Sequence, residues 1–223
     1  GTPLFPQTYD KEKWKRAADA IKDIFDLGVY SLYKQYNEDG TLDPFMSYMN
    51  IHFATGAANP ELIFINNNCN YAEADQNMAP HGYGDGNGAY GATQNLVDAF
   101  FTRNGLPIDE DPSYVAQGYS TEDVHYPNTA WTRSNSKEVK GLVTEAGTPN
   151  MYCNREPRFY VSILWHREYS TQMEGFVDFL YGGANGGPTY DSPQCGYLMR
   201  KRQHPQATEI GNQNHPYRHG IIF

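Results

Sequence analysis

The stretch Asn154-Arg155-Glu156-Pro157-Arg158-Phe159-Tyr160-Val161-Ser162-Ile163 decides how this chain is read. Pro157 disfavours the α region for Glu156 and fixes its own φ near a helix-entry value, so the run turns sharply into a regular element. Arg155 and Arg158 flank that turn. Guanidinium forks suit carboxylates or the carbonyls at a helix end, so the pair reads as a brace that locks neighbouring loops together. Residues 159 to 165 continue as a strand or a turn of helix, and Trp165 closes an apolar run that belongs in the core.

Working outward, residues 10 to 28 give the clearest helix, because Trp14, Ala17, Ala18, Ile21 and Phe25 recur on one face. Asp10 can cap its start and Gly28 its end. That periodicity makes Trp14 a core residue. Thr93 to Phe101 repeats the pattern with Leu96, Val97, Phe100 and Phe101. Residues 45 to 53 form a short apolar run, 61 to 65 read as a strand after Asn59-Pro60, and 196 to 200 as another. The remainder is irregular: a polar, Gly-rich tract from 66 to 91, a Pro-punctuated loop from 104 to 152, a Gly-rich loop from 182 to 188, and a loop from 203 to 220. A loop as long as 104 to 152 inside a compact domain is normally functional or needs packing from elsewhere.

Taken in order, these segments resemble SusD/RagB-type glycan-binding lipoproteins. The run at Asn154 is similar to the family's NRDPRFYxxI signature. Thr93-Gln94-Asn95-Leu96-Val97-Asp98-Ala99-Phe100 with Asn104-Gly105 resembles its LVDAF…DG stretch, and Gly196-Tyr197-Leu198-Met199-Arg200-Lys201 its TGYYLRK stretch, with Cys195 where Thr is common. Residues 10 to 33 look like a tetratricopeptide-like helix and its exit, and Asn59-Pro60-Glu61-Leu62-Ile63-Phe64 like the family's NxEvIF strand. The resemblance implies a mainly α parent fold of tetratricopeptide-like helices. The portion present should be loop-rich with helices and a few short strands, divided into a helical segment 1–58 and a SusD-specific region 59–223. Family members are longer at both ends, so the chain reads as an interior portion, and no signal or lipobox cysteine stands in it. The resemblance further implies a cell-surface protein, anchored by lipid to the outer membrane, that hands oligosaccharides to a SusC-like TonB-dependent transporter and performs no catalysis. A glycoside hydrolase and a non-glycan surface subunit are the alternatives.

Composition fits a binding module. The 223 residues carry a formal charge of −9, 39% are hydrophobic, and 21 are Gly and 14 Pro; mean hydropathy is −0.70. A modest, loop-covered core follows. The 17 basic residues form no stripe, which argues against nucleic acid and anionic lipid and leaves neutral oligosaccharide as the better ligand. Tyrosine dominates the aromatics with 18 copies, pairing a flat apolar face with a hydroxyl that tolerates water. Cys69, Cys153 and Cys195 show no CxxC spacing and are expected to be unpaired and mostly buried.

Apparent catalytic motifs dissolve on inspection. Gly86-Asn87-Gly88-Ala89-Tyr90-Gly91 matches GxGxxG, but no apolar strand feeds its first glycine. Asp85-Gly86-Asn87 lacks the later ligands of a calcium loop, and no cofactor is implied, although a structural Ca²⁺ held by scattered loop carboxylates stays open. His215 and His219 are followed by Pro216 and Gly220, which oppose a helical zinc site. Glu145, Glu156, Glu168 and Asp178 lie near aromatic segments and are the carboxylates a hydrolase would draw on.

If a glycan site touches this chain, Trp131 is its expected stacking platform, assisted by Tyr126 and Tyr119, with Asn128 and Arg133 reading hydroxyls; the alternative is that Trp131 pins its long loop to the domain. Trp131 is chosen because its neighbours are polar and non-periodic, unlike those of Trp14 and Trp165. Asn154, Arg155, Pro157 and Arg158 are expected to be structural.

Overall fold

The computed structural model describes residues 3, 6–54, 58–64, 71–132, 139–170, 173, 175–187 and 193–201. Among these, five helices and six short strands are joined by long loops. No helix of the described residues is long and apolar enough to cross a membrane.

Helix α1 (Lys11–Asp26) begins at Asp10, whose side chain accepts from the Glu12 N–H, and is followed by Gly28 at a φ of 64°. The expected helix is present, but its expected burial is not: no residue of α1 is buried, and Trp14 is 68% exposed. Periodicity shows which face wants a partner; it cannot supply one. Helix α2 (Pro44–Asn50) follows Asp43, which caps it by accepting from the Met46 N–H at 3.0 Å, while Pro44 takes the first helical position, where its missing donor costs nothing. Residues 61 to 64 form a turn and bend rather than the expected strand. The reason is local: Asn59 turns the chain by accepting from the Glu61 N–H at 3.1 Å and donating to the Ile51 carbonyl, also at 3.1 Å. Ile63 and Phe64 are consequently exposed. Helix α3 (Tyr71–Met78) lies in a tract whose polarity gave no helical signal. Helix α4 (Gln94–Ala99) is capped by Thr93.

The loop from 104 to 152 contains a bulged antiparallel pair, β1 (Val124–His125) and β2 (Leu142–Thr144), and ends in a 3-10 turn, Asn150–Tyr152. Pro157 then starts helix α5 (Pro157–Ser162), which passes without a break into β3 (Ile163–Trp165). Both readings of this segment were right in sequence. β4 (Tyr169–Ser170) pairs with β5 (Gly175–Phe176), and β6 (Tyr197–Met199) pairs antiparallel with β3.

The β3–β6 pair separates two packed groups by the two-residue period of a strand. Ile163, Trp165 and Tyr197 face a main core built with Phe45, Val97, Trp131, Val143, Tyr152, Phe159 and Tyr160. Leu164 and Leu198, directly paired, face a smaller group with Val177. The main core is largely aromatic. Trp165 stacks on Phe159 at 5.1 Å and on Tyr152 at 5.2 Å between centroids, within the range where ring pairs add to burial. Cys153 is buried and unpaired, as expected; Cys195 is unpaired but exposed, and Cys69 lies outside the described residues.

Candidate functional site

The turn that opens α5 is tied to several distant parts of the chain. Asn154 adopts a φ of 53°, in the left-handed region that asparagine enters more readily than most side-chain-bearing residues. Its carbonyl accepts from the Arg103 N–H at 2.8 Å and its Oδ1 from Arg103 Nη1 at 3.0 Å. Arg155 is fully buried. Its Nη2 donates to the carbonyls of Val97 and Phe100, both at 2.7 Å, and its Nη1 to that of Met151 at 3.0 Å. Val97 and Phe100 stand where α4 runs out of its own donors, so a cation caps a helix end whose dipole favours positive charge. The guanidinium also lies 5.0 Å from the Phe159 ring centroid.

Arg158 has a different task. Half exposed, it forks onto Glu156 with Nε–Oε2 at 2.5 Å and Nη2–Oε1 at 2.9 Å, and Glu156 in turn accepts from the Phe101 N–H at 2.8 Å. Tyrosine hydroxyls complete the frame. Tyr160 accepts from the Arg155 N–H and donates to the Tyr152 carbonyl, while Tyr126 donates to the Arg155 carbonyl. Burial pushes the hydroxyls of Tyr126, Tyr152 and Tyr160 well above the ordinary tyrosine value, so they remain neutral donors.

Beside this frame, Thr102, Arg103, Asn104, Asp111, Ser113, Tyr114, Asn150 and Asn154 contribute to the lining of a polar pocket of about 340 Å³. Asp111 sits at its centre of charge. Oδ1 accepts from Ser113 Oγ at 2.6 Å and the Ser113 N–H at 2.9 Å; Oδ2 accepts from Thr102 Oγ1 at 2.5 Å and Asn104 Nδ2 at 3.0 Å. Hydrogen bonds from Ser113 and then Thr102 hold its carboxyl well below the usual range, so it stays ionised. Among the described lining residues Asp111 is the one carboxylate. The pocket offers hydrogen-bonding side chains in both senses and one aromatic face, a composition suited to holding a hydroxylated ligand. A second groove of about 540 Å³, on the Pro157–Arg158 side, is lined mainly by apolar groups including Leu32, Leu42, Pro44 and Ile51.

The residues singled out in the sequence divide sharply. Trp131 is only 3% exposed; it stacks on Phe45 at 5.2 Å, and the Arg200 guanidinium lies 5.5 Å from its ring centroid. Its faces are occupied within the core, which corrects the expectation of an open platform there. The cause is long-range: buried Asp43 accepts from Thr129 Oγ1 at 2.8 Å and the Ala130 N–H at 2.7 Å, pulling the polar loop down onto α2. Tyr126 is half-buried, with Arg103 4.4 Å from its ring centroid and its hydroxyl committed to Arg155. Tyr119 is 71% exposed and bridges to Pro149, next to pocket residue Asn150. Asn128 is exposed at a φ of 58°, its carbonyl accepting from Asn37 Nδ2 at 2.6 Å. Arg133 lies outside the described residues, as do His215 and His219. Sequence reasoning missed Asp43, Arg103 and Asp111. Asp43-Pro44 ahead of an apolar run was a readable cap-plus-proline signal; Asp111-Pro112-Ser113 was a readable Asx turn.

A fold of short helices around an aromatic core, braced by a buried arginine in an Asn-Arg-Glu-Pro-Arg turn, defines the class. The sequence profile of the SusD family matches residues 49–219, and the chain belongs to that family. Two solved structures share the fold. One, selenomethionine BT4246, has a TM-score of 0.57 at 19% identity over 92% of this chain and 39% of its own. The other, a SusD-like protein (BF3747) from Bacteroides fragilis NCTC 9343, has a TM-score of 0.51 at 22% identity over 94% of this chain and 36% of its own. The chain thus spans well under half the length of the structures it resembles. No curated protein sequence matches it.

Proposed function

We propose that this protein binds oligosaccharides at a bacterial cell surface and delivers them to a SusC-like TonB-dependent transporter in the outer membrane. The observation that carries the reading is the family match across most of the chain. The parent molecule, on this reading, is mainly α with tetratricopeptide-like helices and is held to the membrane by lipid. Within this portion the polar pocket beside Asn154 is the proposed glycan contact, with Tyr119 at its margin through its bridge to Pro149. Ionised Asp111 and the side chains of Arg103, Asn104 and Asn154 would read hydroxyls, and Tyr114 would meet a sugar face.

Native gels cast with soluble starch, arabinoxylan, galactomannan or levan test this directly. Retardation of the 223-residue chain by at least one polysaccharide is expected, with no reducing sugar released on prolonged incubation. Reducing-sugar release would transfer the protein to the hydrolases. Co-purification from outer membranes of its host should recover a TonB-dependent transporter; its absence would remove the delivery role.

A further inference from the structure

Tyr181 is 86% exposed, more than any other large hydrophobic among the described residues, yet the loop that carries it is tightly specified. Asn185, 2% exposed, ties the loop shut: its N–H donates to the Asp178 carbonyl at 2.9 Å and its Oδ1 accepts from the Asp178 N–H at 2.9 Å. Its Nδ2 donates to the His81 carbonyl at 2.6 Å, fixing the loop to a second turn far away in sequence. Inside the loop Gly182 N–H donates to the Gly187 carbonyl at 2.7 Å and Gly183 N–H to that of Leu180 at 2.8 Å. Side chains are excluded at critical points. A Cβ on Gly186 would fall 2.1 Å from the Leu180 carbonyl oxygen, and one on Gly82 in the second turn 2.7 Å from that of Ala184. Phe179 packs inward on the smaller core group, leaving Leu180 and Tyr181 outward.

A mobile loop with an exposed tyrosine is ordinary. A loop braced by a buried asparagine and by glycines that tolerate no Cβ, and still presenting its aromatic to water, is pre-organised for contact. The Asp178 carboxylate packs beside Gly183 at the same turn; its Oδ1 accepts from the Leu180 N–H at 3.2 Å and its side chain remains half exposed. The outward apolar set is small beside the roughly 800 Å² per partner of a stable protein interface. One ring face with a carboxylate acceptor nearby matches the C–H face and hydroxyls of a single sugar ring. The negative charge here, with −9 over the chain, selects against uronic acids.

From this geometry we propose that Tyr181 is a second stacking subsite, separate from the polar pocket and specific for a neutral sugar ring, with Asp178 accepting from its hydroxyls. The subsite rests on the glycan-binding reading above and deepens it.

The test compares the wild-type chain with Tyr181→Ala, Tyr181→Phe and Asp178→Asn in native gels cast with soluble starch, arabinoxylan, galactomannan, levan or the acidic polygalacturonate. Because Tyr181 is exposed, the Ala variant is expected to melt with wild type. On the neutral polysaccharide that retards the wild-type chain, Tyr181→Ala should bind about five-fold more weakly, while Tyr181→Phe keeps affinity within about two-fold. Asp178→Asn should weaken the same binding. Equal retardation of wild type and Tyr181→Ala would overturn the subsite and leave the general reading standing. Absence of any retardation of wild type would overturn both, and preference for polygalacturonate would overturn the neutral-sugar assignment.

Discussion

Trp14 and Trp131 exchange places between sequence and structure, and the exchange separates two kinds of folding information. Trp14 sits on a periodic apolar face and is 68% exposed; Trp131 sits among polar residues and is 3% exposed. Periodicity reports what a helix would bury given a neighbour. Side-chain hydrogen bonds between distant segments report what is buried. Around Trp131 the decisive bonds join Asp43 to Thr129 and Ala130, so a polar loop is held against α2 and its one large aromatic is pressed into the core. Among the described residues, the side-chain ion pairs of α1, Lys15–Asp19 and Lys22–Asp26, are internal to the helix.

The comparison breaks most directly at the tryptophans themselves. Trp131→Ala should lower stability by about 3–5 kcal/mol in urea unfolding, the usual range for a large aromatic removed from a packed core, whereas Trp14→Ala should stay within about 0.5 kcal/mol. Similar values for the two would mean that Trp14 is buried in solution. The arginines of the signature turn repeat the contrast at smaller scale. Arg155→Ala leaves three carbonyls without their cationic donor and should cost about 3 kcal/mol; Arg158→Ala removes a half-exposed ion pair and should cost less than about 1 kcal/mol. Equal losses would show that the Arg158–Glu156 pair carries as much as the buried brace.

Local features were legible to the extent that their causes are local. Asp10 and Gly28 bound α1, Thr93 opens α4, and Pro157 starts α5, because caps and prolines act within a few residues. The kind of partner an arginine in that turn would take, a helix-end carbonyl, was also readable from guanidinium chemistry. Which arginine takes it was not, since that depends on α4 arriving some 58 positions away in sequence. The same limit hid the polar pocket. Thr102, Asp111 and Asn154 converge through the pairing of Thr102 with Arg155, and no spacing in the chain announces it. The expected strand at 61 to 65 gave way over the described residues 61 to 64 for the opposite reason, a local Asn59 turn outweighing an apolar run.

Acid offers a gentler probe of the pocket. Asp111 has a carboxyl pKa depressed in the fold, so its contribution to stability is complete above the unfolded carboxylate value of about 4 and is lost as pH falls through the lower folded value. Below about pH 4, wild-type stability should therefore decline with a component that Asp111→Asn lacks. Parallel pH profiles for the two proteins would show that the Thr102, Asn104 and Ser113 bonds hold a carboxylate and an amide equally well.

The smallest stability effect, and the clearest test of the exposed region, belongs to α1. Its charges oppose its own dipole: Lys11, Lys13, Lys15 and Arg16 crowd the start, Asp23 and Asp26 the end, and no basic residue lies in the last turn. Both ion pairs also run Lys to Asp, the weaker order along a helix. A lone 16-residue helix with these handicaps is marginal in water, and an apolar surface laid against the exposed Trp14, Ile21 and Phe25 would stabilise α1. A second copy of the chain offers such a surface. Sedimentation should therefore show concentration-dependent association that Trp14→Glu combined with Phe25→Glu abolishes, with the melting temperature of the aromatic core unchanged. Amide exchange should agree, protecting α4 and α5 far more than residues 11–26 at low concentration. A chain that stays monomeric at high concentration while protecting those amides would mean that α1 is self-sufficient, and the contrast between the two tryptophans would then reflect packing alone rather than a missing partner.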